Sequence, residues 1–101
     1  MEFLTELNIS SETINLIDEV YSDVEKDEII MCQIEIVSSI KYLRELGVID
    51  KMIEEILVED YHILTPGRLY LKKAVAKVNK DALVSALNKD ISYSKYLKNF
   101  L

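Results

Sequence analysis

Apolar residues recur every three to four positions along most of this chain, and that spacing predicts helices. Ser10 or Ser11 can cap a first helix, because a serine hydroxyl accepts a hydrogen bond from the first free amides. The apolar positions of that helix keep the helical period and are Ile14, Ile17 and Val20 or Tyr21.

The longest predicted helix covers residues 27–46, where no helix breaker occurs. Gly47 follows it, at the position where a helix commonly ends in a residue with the left-handed backbone conformation. The helix could begin after Ser22, which forms a capping-box pattern with Glu25, or at Asp27. Its apolar residues cover much of the circumference: Ile29, Ile30, Met31, Cys32, Ile34, Ile36, Val37, Ile40, Leu43 and Leu46. A helix that is apolar nearly all round needs several neighbours, so we predict one long central helix here.

Two more helices are predicted in the middle of the chain. The segment 49–58 has one apolar face, and residues 61–64 form a connector or a short turn after it. Thr65 followed by Pro66 is a helix-start signal, because proline suits the first helical position. That helix is predicted to run to about Val78, and its candidate core residues are Leu69, Ala74, Val75 and Val78.

The last third is predicted to hold two short helices. Asn79 can cap the first of them, and the second can begin at Ser92. The residues expected to pack the final helix against the body are Tyr96, Leu97, Phe100 and Leu101. The fold class is therefore all-α, a compact bundle or short helical array of five to six helices around the long central helix. Residues 1–101 are expected to form a single helical domain.

Composition excludes several classes of protein. No uncharged stretch approaches the roughly 20 apolar residues of a membrane span. The acidic start, residues 1–6, is unlike a signal peptide. The lone Cys32 cannot form an internal disulfide, so a reducing compartment is the simplest home. We expect a cytoplasmic protein that makes no membrane contact.

Charge is divided unequally along the chain. Residues 1–60 carry 16 acidic and four basic side chains, whereas residues 61–101 carry two acidic and eight basic ones. Three interpretations stay open: the halves attract each other within one fold, the acidic half meets a basic partner, or the basic half meets nucleic acid or an acidic protein. The first is favoured, because most charge runs are simply solvated.

The basic residues form a possible interaction or nucleic-acid surface, made of Arg68, Lys72, Lys73, Lys77 and Lys80. On one continuous helix, the last three would share a face and the first two would line an adjacent one. Nearby aromatic side chains could stack on bases: Tyr70, Tyr93 and Tyr96. We favour the alternative that the lysine stems cover the edge of the core, since an acidic chain binds phosphates weakly.

Few residues are candidates for chemistry. Glu59 and His62 form an ExxH pair with Glu55 one turn earlier, but ferritin-like metal sites need two such motifs. His62 could activate Cys32, but Cys32 lies in an apolar helical run where cysteine usually acts as a small hydrophobe. We therefore predict no catalytic residue, no metal ligand and no cofactor.

Two segments resemble parts of known families. The apolar spacing over residues 46–69 is similar to one repeat of the mitochondrial transcription termination factors, helical solenoids that bind nucleic acid, although Tyr61 stands where that repeat usually has proline. Residues 61–68 resemble the end of the wing in winged-helix regulators, with residues 43–49 as the end of a recognition helix. Neither similarity assigns the chain to a family.

The sequence thus predicts a non-enzymatic helical interaction module. It would act by protein–protein contact or self-association, with an unknown protein partner or as a homodimer. The alternative is a small nucleic-acid-binding regulator that uses the basic helix at 68–80, and this is the less favoured of the two.

Overall fold

Helices make up most of the computed structural model, which describes residues 1–98. The α-helices in this range are α1 (Glu2–Glu6), α2 (Ser11–Val20), α3 (Asp23–Met31), α4 (Gln33–Leu46), α5 (Asp50–Glu59), α6 (Arg68–Val75), α7 (Lys80–Lys89) and α8 (Ser94–Lys98). Two short 3-10 helices, Tyr61–Ile63 and Ile91–Tyr93, precede α6 and α8. The all-α class is confirmed, but the expected count of five to six helices is wrong. Helix α1 was not predicted, and the central helix is divided in two.

The helix predicted over residues 27–46 is interrupted at Cys32. Helix α3 begins after Ser22, whose hydroxyl accepts a hydrogen bond from the Glu25 amide while the Glu25 carboxylate accepts one from the Ser22 amide. At Cys32 the backbone leaves the helical region, with φ −96° and ψ 17°. Ile29 of α3 and Ile36 of α4, on either side of this break, are both fully buried.

Helix α4 packs against several other helices. It contacts α1, α3, α5 and α6. Ile36, Ile40 and Leu43 are completely buried, and their spacing makes one continuous stripe. On the same side, the Ser39 hydroxyl donates a 2.7 Å hydrogen bond to the Leu64 carbonyl, so this buried polar group is satisfied. The prediction of one long central helix is therefore not matched, although α4 contacts four other α-helices.

Gly47 ends α4 in the predicted left-handed conformation, with φ 99°. The Val48 amide donates to the Leu43 carbonyl at 3.0 Å, and the Gly47 amide donates to the Arg44 carbonyl at 3.1 Å. This pair of bonds is a Schellman motif, and the buried side chains of Leu43 and Val48 supply its usual apolar contact. The motif turns the chain directly from α4 into α5.

Helix α6 is shorter than predicted at both ends. The Thr65 hydroxyl donates to the His62 carbonyl at 3.1 Å instead of capping the helix. Gly67, with φ 91°, takes the N-cap position, so the helix begins at Arg68. It ends at Val75, and both Leu69 and Val78, which were assigned to the core, are exposed.

The remaining predictions concern shorter segments. Ser10 caps α2, and Asn79 caps α7 by accepting a 3.0 Å hydrogen bond from the Ala82 amide. Leu97 of α8 is buried as expected, whereas Phe100 and Leu101 lie outside the described residues. The segment that resembled a wing, 61–68, is a 3-10 turn leading into α6, and residues 1–98 contain no strand. Over the same residues, no helix is both long and apolar enough to cross a bilayer.

Tyr21 joins the end of α2 to the end of α5. Its hydroxyl lies 2.6 Å from the Leu57 carbonyl and 2.7 Å from the Val58 carbonyl. Both carbonyls belong to the last turn of α5, where the helix itself offers no donor. Burial raises the pKa of Tyr21 to about 12, so its hydroxyl stays neutral and able to donate at ordinary pH.

Replacing Ile36 with aspartate is expected to unfold the domain. The side chain is fully buried, and a buried carboxylate without a partner costs several kcal/mol, close to the whole stability of about 5–15 kcal/mol for a small domain. The matched control is Ile34→Asp, two residues away on the same helix, where the side chain is exposed. Its free energy of unfolding should stay within about 0.5 kcal/mol of the parent value in dilute protein.

Urea denaturation followed by far-ultraviolet circular dichroism measures both variants. A cooperative transition for Ile36→Asp at the parent midpoint would show that α4 does not lie in the core.

Candidate functional site

Large apolar side chains are exposed where α3 meets α4. Met31 is 84% exposed, Ile34 78% and Ile30 46%. We call these three residues the α3–α4 patch. Helical hydrogen bonds continue on both sides of Cys32, so positions 30, 31 and 34 keep a roughly helical spacing and are neighbours on the surface. The sequence had assigned all three to the central helix, whose neighbours were expected to cover them.

Acidic side chains flank the α3–α4 patch. Asp27 precedes Met31 by one helical turn, and Glu35 follows it by one turn. Both carboxylates are exposed, and neither forms an ion pair with another residue in the range 1–98. Val24 is also exposed, one turn before Asp27. The surface is therefore apolar at its centre and negatively charged at its edge.

A second exposed apolar pair lies near the start of α6. Leu69 is 72% exposed and Tyr70 is 52% exposed. We call this pair the α6 patch. Lys72 and Lys73 follow Leu69 by three and four positions, and the Lys73 ammonium lies 5.6 Å from the centre of the Tyr70 ring. This surface is apolar at its centre and positively charged at its edge.

The two patches are neighbours, because the start of α6 packs against α4. The Arg68 amide donates a 3.1 Å hydrogen bond to the Ser38 hydroxyl. A Cβ atom on Gly67 would lie 3.4 Å from the same oxygen and 3.6 Å from Glu35 Cβ. Ser38 lies one turn after Ile34 on the same face of α4. The start of α6 and the α4 end of the α3–α4 patch are therefore adjacent.

The five basic residues predicted as a surface are not carried by one helix. Arg68, Lys72 and Lys73 lie on α6, Lys77 lies in the turn after it, and Lys80 begins α7. The prediction that Lys73, Lys77 and Lys80 share one helical face is wrong, because α6 ends at Val75. What the structure does bring together is Lys72 and Lys80, which line an open cavity of about 460 Å³ between α4 and α6.

The Arg68 side chain contacts other residues of the same chain. Its guanidinium lies 3.1 Å and 3.2 Å from the two carboxylate oxygens of Glu45, and 5.4 Å from the centre of the Tyr42 ring. A guanidinium held in this way by a carboxylate has part of its charge neutralised. Arg68 should therefore attract phosphate less strongly than an unpaired arginine would.

Polar contacts also join the acidic and basic halves of the chain at a second place. The His62 ring lies between Glu28, at 3.2 Å from Nε2, and Asp60, at 3.2 Å from Nδ1. The Lys98 ammonium lies 2.6 Å from the other Asp60 oxygen. This row connects α3, the first 3-10 helix and α8. The halves of the chain therefore do attract each other within one fold, as the sequence favoured, although many acidic side chains of residues 1–60 take no part.

The structure also shows the surroundings of the residues that were considered for catalysis or metal binding. His62 faces Glu28 and Asp60, and no hydrogen bond in the described range joins it to Glu59 or Cys32. Burial raises the pKa of the Cys32 thiol, which disfavours the reactive thiolate. No group of three or more His, Cys, Asp or Glu side chains among residues 1–98 could hold a metal ion.

Comparisons of the chain with protein-family models, with curated proteins and with solved structures found no significant match.

Replacing Lys98 with glutamine is expected to raise the pKa of Asp60. Burial alone raises this pKa, but the hydrogen bond and charge of Lys98, with the contacts to His62, outweigh burial and hold it below its ordinary value. The resulting stability is present above the ordinary aspartate pKa of about 3.9 and is lost as pH falls through the lowered pKa. In Lys98→Gln, the contribution of Asp60 to the free energy of unfolding should be smaller, and less stability should be lost as the pH falls through this interval.

Carbon-13 NMR titration of the Asp60 carboxyl measures the shift directly. Lys89→Gln, which removes an exposed lysine from α7, is the matched control and should leave the Asp60 titration in place. An Asp60 pKa that is the same with and without Lys98 would contradict the assignment.

Proposed function

We propose that this chain is a non-enzymatic interaction module that binds another protein surface through the α3–α4 patch. The observation that carries the proposal is the exposure of Met31 and Ile34 side by side. Contiguous exposed apolar side chains with a polar edge mark interaction sites on soluble domains. Methionine is common at such surfaces, because its flexible thioether adapts to a partner.

The fold does not need these apolar side chains. Helix α4 already buries Ile36, Ile40 and Leu43 against its neighbours, and α3 buries Ile29. A polar residue at position 31 or 34 would leave all those contacts in place. An apolar choice at both positions is therefore better explained by contact with a partner than by packing within the chain.

Nucleic-acid binding receives less support. Arg68 is paired with Glu45, and the lysines are distributed over α6, a turn and α7. Glu35, whose carboxylate forms no ion pair among residues 1–98, lies beside the start of α6 and would repel phosphates. We propose the cytoplasm as the site of action, because a lone cysteine offers no internal disulfide and suits a reducing compartment.

Photocrosslinking tests the proposed surface. Ile34 is replaced by p-benzoylphenylalanine, and the protein is irradiated in extract from the cells it comes from. The matched control carries the same group at Lys41, an exposed position elsewhere on α4. We expect a protein adduct from position 34 alone. A second substitution, Met31→Lys, should weaken binding at least about tenfold, the effect of 1.4 kcal/mol, and remove most of the adduct.

Two results would contradict the proposal. One is equal labelling from positions 34 and 41, and the other is labelling from position 34 that Met31→Lys leaves unchanged. Adducts to nucleic acid rather than to protein would support the regulator instead.

A further inference from the structure

We propose that the partner is a second copy of this chain, bound so that the α3–α4 patch of each copy covers the α6 patch of the other. The inference rests on the proposed function, because it names the occupant of the same surface. It goes further by assigning a role to the α6 patch and by fixing the symmetry of the assembly.

The two patches are complementary in charge. Ile30, Met31 and Ile34 are bordered by carboxylates, whereas Leu69 and Tyr70 are bordered by ammonium groups. The carboxylates are those of Asp27 and Glu35, and the ammonium groups are those of Lys72 and Lys73. Like charges across an interface exclude wrong partners, and opposite charges fix its register.

These charges are still available for pairing. Within residues 1–98, neither Asp27, Glu35 nor Lys72 forms an ion pair, and Lys73 contacts the ring of Tyr70 on its own helix. Among residues 1–98, an acidic edge and a basic edge therefore have no ion-pair partner, and each lies beside exposed apolar side chains. Joining the two would cover the apolar atoms and pair the charges at the same time.

The positions of the patches require a second molecule. They are adjacent, because the start of α6 is bonded to Ser38 of α4, one turn after Ile34. Both patches are exposed in the folded chain, so neither covers the other within one molecule. In a pair of copies related by a two-fold axis, each patch meets its complement and the contact forms twice. The adjacency of the patches thus favours a closed dimer over an open chain of copies.

A charge exchange tests the inference in solution. One variant, Asp27→Lys with Glu35→Lys, has two basic edges, and the other, Lys72→Glu with Lys73→Glu, has two acidic edges. We expect each to be monomeric by sedimentation equilibrium, with dimer dissociation constants raised at least tenfold. Their equimolar mixture should form a dimer again, because both contacts then join opposite charges.

One matched control and one uncharged substitution complete the experiment. Glu12→Lys with Glu55→Lys reverses two acidic charges near the groove between α2 and α5, and this variant should dimerise like the parent. Met31→Gln removes apolar surface without changing charge and should also weaken the dimer. The parent dimer should persist at high salt, since apolar contacts hold it and charges orient it. Circular dichroism confirms that each variant is folded.

Three results would overturn the inference. They are a parent chain that stays monomeric at its highest soluble concentration, a dimer unaffected by either charge reversal, and reversed variants that do not associate when mixed. If the chain is monomeric but position 34 still crosslinks to a different protein, the proposed function stands and self-association fails. If neither association nor crosslinking occurs, both fail.

Discussion

The requirement to bury one apolar stripe on α4 organises this protein. Ile36, Ile40 and Leu43 are fully buried, and four other helices pack around α4 to keep them so. The Ser39 hydroxyl bonds the connector at Leu64 to the same helix, which fixes the segment that leads into α6. Because only one stripe is covered, the other side of the α3–α4 segment stays open to solvent. The same packing that makes the core thus also creates the exposed α3–α4 patch.

Local chemistry was predicted well from the sequence, because its signals involve residues close together in the chain. The capping box at Ser22, the Schellman glycine at position 47 and the Asn79 cap each satisfy helix-end groups through neighbours within a few positions. The interruption at Cys32 was not predictable in this way. No glycine or proline marks it in the sequence. The early start predicted for α6 failed because Thr65 bonds back to the His62 carbonyl.

Only part of the candidate site could be predicted from the sequence. The division of charge between residues 1–60 and 61–101 was evident, and so was the excess of apolar residues over 27–46. The number of apolar residues could not show which of them would find neighbours, so Met31 and Ile34 were expected to be covered. The hydrogen bond from the Arg68 amide to the Ser38 hydroxyl joins residues 30 positions apart, and no local pattern encodes it. That contact turns two separate charged segments into adjacent and complementary surfaces.

Amide hydrogen exchange at low and high protein concentration tests most directly whether α4 buries one face inside each chain while the neighbouring surface binds a second copy. The amides from Ile36 to Leu43 should exchange slowly at both concentrations, because their face is buried within each chain. Protection should rise with concentration in two segments, residues 30–35 and 68–73, and remain constant on α2 and α5. Protection that is independent of concentration at both segments, or that rises on α2 and α5 instead, would contradict this structure of the interface.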